Sequence, residues 1–160
     1  MPEHELSAIP KDARAFQGHR AGVVTRFVAA GIDAALVAVV LLGAYLGFAG
    51  LRFLVDPRHF SFPDPALFAS LIVAAVVLGL YLMVAWAVSG RTYGNLLMGV
   101  RVVGGATGDV GWLRALLRAG FYVAFPIGLV WVAVDRHQRS IQDLVLGTAV
   151  VYDWRPRKTR

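Results

Sequence analysis

Three apolar runs, separated by polar or glycine-rich stretches, set the pattern of this chain. From Phe27 to Leu51 the one charged residue is Asp33, and a bilayer's hydrocarbon core takes roughly 20 apolar helical residues to cross. The run therefore predicts a transmembrane helix over about 24–50. A second run, Ala66 to Val88, carries no charge and predicts a span over about 66–88. The connection between them holds Pro57, Pro63 and Pro65, which no helix tolerates, so the two spans make a helical hairpin. A third run, Ala119 to Val134, is shorter and broken by Pro126 and Gly128. With its flank Trp112-Leu-Arg114-Ala-Leu-Leu-Arg118 it predicts a helix over about 112–134 that either crosses fully or re-enters. Between the second and third runs, the alternation Val100-Arg-Val-Val, followed by Gly104-Gly105 and Gly108-Asp109, predicts a short helix leading into a β-hairpin outside the lipid. Ile141 to Leu146 reads as a helical turn and Thr148 to Tyr152 as a strand. The expected fold is thus an all-α integral membrane protein with a small cytoplasmic β-hairpin-like element.

Composition supports that class. The 160 residues are 58% hydrophobic with a mean hydropathy of +0.62, too apolar for an ordinary soluble domain. Residues 1–22 are polar and form a basic interfacial or disordered arm, 23–152 the membrane domain, and 153–160 a basic tail. The arm is unlike a cleavable leader, so the first helix is expected to be retained. Without cysteine there are no disulfides, thiolate metal sites or thiol nucleophiles. The net charge of +6 comes from residues flanking apolar runs, which points to anchoring on anionic lipid and not to nucleic acid. Four basic residues precede the first span, two lie between the spans, four lie between the second and third runs, and six follow. By the positive-inside rule the N-terminus and the 89–118 segment are cytoplasmic. A third crossing would carry the six C-terminal basic residues outward, which favours the re-entrant form.

Within the first span Arg26 and Asp33 are seven apart, hence within about 20° on one helix face and about 10 Å apart along the axis. They share a stripe without touching. An aspartate at this depth costs on the order of 2.5–3.5 kcal/mol, so a compensating partner is expected. It is either a static ion pair with Arg118 or Arg101, or a switching carboxylate on an ion pathway; Arg26 itself reads as an interfacial anchor. Gly43 and Gly47 in the first span suit close helix packing, and Ala75 and Gly79 in the second offer a groove for the first helix. The histidines at 4, 19, 59 and 137 have no metal spacing, and Ser140 beside His137 and Asp143 lacks a nucleophile elbow. The glycine-rich 90–111 stretch lacks the Gly-Lys-Ser/Thr of a phosphate loop. No catalysis, cofactor or metal is expected.

Arg26, Asp33 and Asp143, the last within Gln142-Asp143-Leu-Val-Leu-Gly147-Thr148, together with Tyr93-Gly-Asn-Leu-Leu-Met-Gly99-Val-Arg-Val-Val and the Leu116-Leu-Arg118 step, resemble the RDD family of small bacterial membrane proteins. The similarity runs from about Ala21 to Tyr152. Two positions depart from the family's habit: Gln142 stands where His is frequent, and Asn95 where a basic residue is frequent. The resemblance implies a multi-pass protein of the bacterial inner membrane. It also implies ion- or proton-coupled transport, with Arg26, Asp33, Arg118 and Asp143 as the charged constellation and a monovalent cation or proton as the moving species. Two or three spans enclose no pathway alone, so a homo-oligomer or a membrane-protein partner is expected. The alternative is a non-transporting accessory subunit that docks a partner or binds anionic lipid.

Overall fold

In the computed structural model, which describes residues 18–104, 110–125, 131 and 140–153, the first apolar run is one helix, α1 (Val23–Val55). At 1.5 Å per residue it is about 50 Å long, well beyond the roughly 30 Å of a hydrocarbon core. It ends at Asp56, because Pro57 disfavours helical backbone at the residue before it. A single 3₁₀ turn, Pro57–His59, begins the connection to α2 (Leu67–Ser89). Tyr45 donates its hydroxyl to the Pro63 carbonyl at 2.9 Å and ties that connection to α1. Both helices are long and apolar enough to span a membrane, and most of their surface is exposed apolar side chain. A soluble protein would bury such surface.

Burial is concentrated at one end. Gly90 closes α2 in the left-handed region, at φ 70°, and the short helix α3 (Tyr93–Leu97) follows, capped by the Thr92 hydroxyl. Next comes β1 (Val100–Gly104). The amphipathic helix α4 (Trp112–Ala124) packs along α2, and α5 (Ile141–Leu146) leads through a left-handed Gly147 into β2 (Thr148–Tyr152). Leu82 and Trp86 of α2, Val100 and Val102 of β1, Ala115 and Ala119 of α4 and Val150 of β2 form the core with Ala21 and Val110.

The strands correct one expectation. β1 does not fold back on its own glycine turn; it pairs antiparallel with β2, Val102 opposite Val150 and Gly104 opposite Thr148. Apolar alternation fixes which face of a strand is buried but not its partner, and β2 presents the matching buried face. Residues 18–21, expected in the arm, extend this edge. Gly18 and Ala21 donate to the Tyr152 and Val150 carbonyls at 2.8 and 2.9 Å, and Tyr152 donates to the His19 carbonyl at 2.9 Å. The entry to α1, the exit of α2 and the C-terminal strand therefore sit at the same end of the hairpin.

Helix packing also differs from expectation. The groove at Ala75 and Gly79 faces α4, not α1: a Cβ on Gly79 would meet Val123 at 3.7 Å, and both residues line a hollow shared with Leu116, Ala119 and Gly120. A Cβ on Gly43 or Gly47 would meet nothing within 4 Å among the described residues. The first two helices touch less because α3 occupies the N-terminal part of α1. Pro126 and Gly128, on which the re-entrant form rests, lie outside the described residues, as do most of the N-terminal arm and the basic tail.

Candidate functional site

Two polar clusters lie within the buried end. The first is centred on Asp143. A serine three residues before an aspartate makes a capping box, and here Ser140 caps α5 by accepting from the Asp143 amide at 3.2 Å, while Asp143 Oδ2 accepts from the Ser140 amide at 3.3 Å. This fixes the carboxylate over the start of α5. Arg26, one turn into α1, donates Nη1 to Oδ2 and Nε to the Ala21 carbonyl at 3.1 Å. Arg118 of α4 donates Nη1 to Oδ1 at 2.5 Å and to Thr148 Oγ1 at 2.6 Å. Thr148 in turn donates to Oδ1 at 3.1 Å. Arg26 is therefore not an interfacial anchor but one of two guanidiniums on a shared buried carboxylate. Burial opposes ionisation of Asp143, yet the charges and hydrogen bonds of Arg118 and Arg26 outweigh it and hold the carboxyl well below the usual carboxylate range.

The second cluster is centred on Asp33. It is 3% exposed and accepts from the Tyr81 hydroxyl at 2.8 Å, the Thr92 hydroxyl at 2.5 Å and the Gly94 amide at 2.8 Å. Gly94 reaches it because it has no Cβ; one placed there would lie 2.1 Å from the Ala29 carbonyl oxygen. Among the described residues, the hydrogen-bond donors to Asp33 are all neutral, so the expected ion pair with Arg118 or Arg101 does not form. Arg118 is engaged at Asp143. Arg101, on β1, approaches Asp153 at 3.7 Å, and Arg91 meets the same carboxylate at 2.8 Å.

The clusters are joined. Thr92, which donates to Asp33, accepts from the Asn95 amide at 3.1 Å. Asn95 lines a cavity of about 20 Å³ together with Arg26, Arg118, Trp86 and Tyr122. On the far side of that guanidinium pair Asp143 borders an open pocket of about 330 Å³, lined also by Arg20, Gly104 and Thr148. A column of polar groups thus runs from the sheet end of the molecule to Asp33 inside α1.

The structure brings Arg26, Arg118 and Asp143 into one contact set and leaves Asp33 one step along the column. Sequence reasoning missed Tyr81, Thr92 and Gly94 as partners of Asp33, and Ser140 and Thr148 as partners of Asp143. Of these Ser140 carried a readable signal, its three-residue offset from Asp143. No group of three His, Asp or Glu side chains gathers to hold a metal among the described residues.

Comparison with curated proteins and with solved structures gives no match. A family profile, that of the RDD family, matches residues 20–147. That span includes Arg26, Asp33, Arg118, Asp143 and every helix described above, and so the chain belongs to the RDD family.

Proposed function

We propose that this is a multi-pass protein of the bacterial plasma membrane that couples movement of a monovalent cation to a proton, with Asp33 as the exchanging group. The observation that carries the reading is a carboxyl buried inside an apolar helix and held, among the described residues, by neutral donors. Buried carboxyls in lipid-embedded helices line ion and proton pathways. Protonated, the group carries no charge into the low-dielectric interior. Ionised, it keeps three hydrogen bonds, and the Tyr81 and Thr92 hydroxyl oxygens retain lone pairs for a cation. The polar column leading from the open pocket supplies an approach.

The strand pairing supports a definite topology. Residues 100–104 and 148–152 are partners, which supports a third apolar run that re-enters instead of crossing. With the positive-inside rule this puts both chain ends in the cytoplasm. Two spans enclose no pathway, so the working unit is a homo-oligomer or a complex with another membrane protein. We read it as a non-enzymatic protein that needs no cofactor. A second reading, an accessory subunit without transport, is favoured by the static clamp on Asp143, which resembles a structural tie more than a moving part.

Proton-coupled sodium and potassium flux in proteoliposomes separates the two. Asp33→Asn keeps the shape and an acceptor oxygen but cannot exchange a proton. It is expected to abolish coupled flux and to leave helix content and thermal midpoint near the wild-type values. Full flux in the variant would reject Asp33 as the exchanging group, and no flux in well-incorporated wild type would reject the transport reading.

A further inference from the structure

We propose that the cavity bounded by Arg26, Trp86, Asn95, Arg118 and Tyr122 binds one small inorganic anion of chloride size. The inference stands apart from cation coupling and would survive its failure. At about 20 Å³ the space admits one body the size of a water molecule, which excludes sulfate, phosphate and carboxylates. Its polar lining is dominated by donors. Arg118 Nε and Trp86 Nε1 are buried N–H groups without a hydrogen-bond partner, on residues only 2% and 3% exposed. The Arg118 guanidinium lies over the Trp86 ring at 5.1 Å from its centroid, and Tyr122 meets that ring edge-on at 5.5 Å. These contacts hold both donors in place.

Charge points the same way. Two guanidiniums converge on one carboxylate, and that carboxylate already spends both oxygens on Arg26, Arg118, Thr148 and Ser140. The other buried carboxylate, Asp33, is bonded to Tyr81, Thr92 and Gly94. Among the described residues the lining itself therefore holds two guanidiniums and no carboxylate. A water molecule there must also find acceptors for its own two hydrogens, whereas an anion uses donors alone, and buried guanidinium and indole N–H groups are strong ones.

The test uses the full chain, purified and held in gluconate, with sodium chloride, bromide or sulfate then added at constant ionic strength. Chloride and bromide are expected to raise the thermal midpoint by on the order of 3 °C and to saturate, and sulfate to do nothing. Trp86→Phe, which keeps an aromatic ring but loses the indole N–H, is expected to lose most of that rise. In the unaltered protein, bromide should quench part of the tryptophan emission saturably. Equal midpoints in chloride and gluconate, an equal rise with sulfate, an undiminished chloride response in Trp86→Phe, or strictly linear bromide quenching would each overturn the proposal and leave water as the occupant.

Discussion

Asp143→Asn is expected to lower the stability of the folded protein by about 3–5 kcal/mol, the loss typical when one partner of a buried ion pair is removed. Folded proteins are stable by only about 5–15 kcal/mol, so the variant should show a strong fall in thermal midpoint and in membrane abundance. The reason lies in what the carboxylate joins. Among the described residues it is the carboxylate shared by Arg26 of α1 and Arg118 of α4, and it caps α5. Asparagine could accept from one guanidinium but would strand the charge of both. The same group gives an acid dependence of known sign. Its pKa is lowered in the folded state, so the unfolded chain binds the proton more readily on acidification, and stability rises with pH across that window. This contribution is present in full above the unfolded value of about 3.9. It is lost as pH falls from there through the lower folded value. Denaturant titrations at pH 7, 5 and 3 check both statements; wild-type stability unchanged down to pH 3, or an Asn variant as stable as wild type, would remove the clamp from the account.

The second large effect is expected at Gly94. Its added Cβ in Gly94→Ala would fall 2.1 Å from the Ala29 carbonyl oxygen and 3.0 Å from the Asp33 carboxyl carbon. Backbone atoms of a helix cannot swing aside as a side-chain tip does, so α3 must move off α1, and the amide bond to Asp33 goes with it. Overpacking of this kind costs about 1–3 kcal/mol, and the lost bond leaves a buried carboxylate short of a donor, for about another 1–3 kcal/mol. The comparison that isolates close approach from mere loss of glycine is Gly111→Ala, where nothing lies within 4 Å and the midpoint should hardly change. Equal midpoints for the two variants would show that the contact between α3 and α1 is not tight.

The spans were legible because hydrophobic run length needs no knowledge of partners: Leu67–Ser89 is within a residue of the expected helix. Strand β2 falls on the residues expected for it, Thr148 to Tyr152, and the RDD constellation was legible from its order. Pairing was not. β1 and β2 lie more than forty residues apart, and the nearby Gly104-Gly105 offered a local turn that the long-range match displaced. The partners of Asp33 escaped notice for a similar reason. Hydropathy does not register a hydroxyl aimed at a carboxylate 48 residues away or a glycine kept for close approach. Ala75 and Gly79 were recognised as a small-residue groove, but the partner was misassigned because α4 is amphipathic and shorter than a span.

On the proposed function, Asp33 exchanges a proton for a cation within the shell of Tyr81, Thr92 and Gly94. The most direct test of this exchange is labelling of the membrane-embedded protein with an apolar carbodiimide, which modifies protonated carboxyls in low-dielectric surroundings, followed by peptide mapping. The account predicts an adduct on Asp33 that increases as pH falls and is suppressed by sodium or potassium when choline holds the ionic strength constant. No adduct on Asp33 at any pH, or an adduct indifferent to both proton and cation, would contradict it.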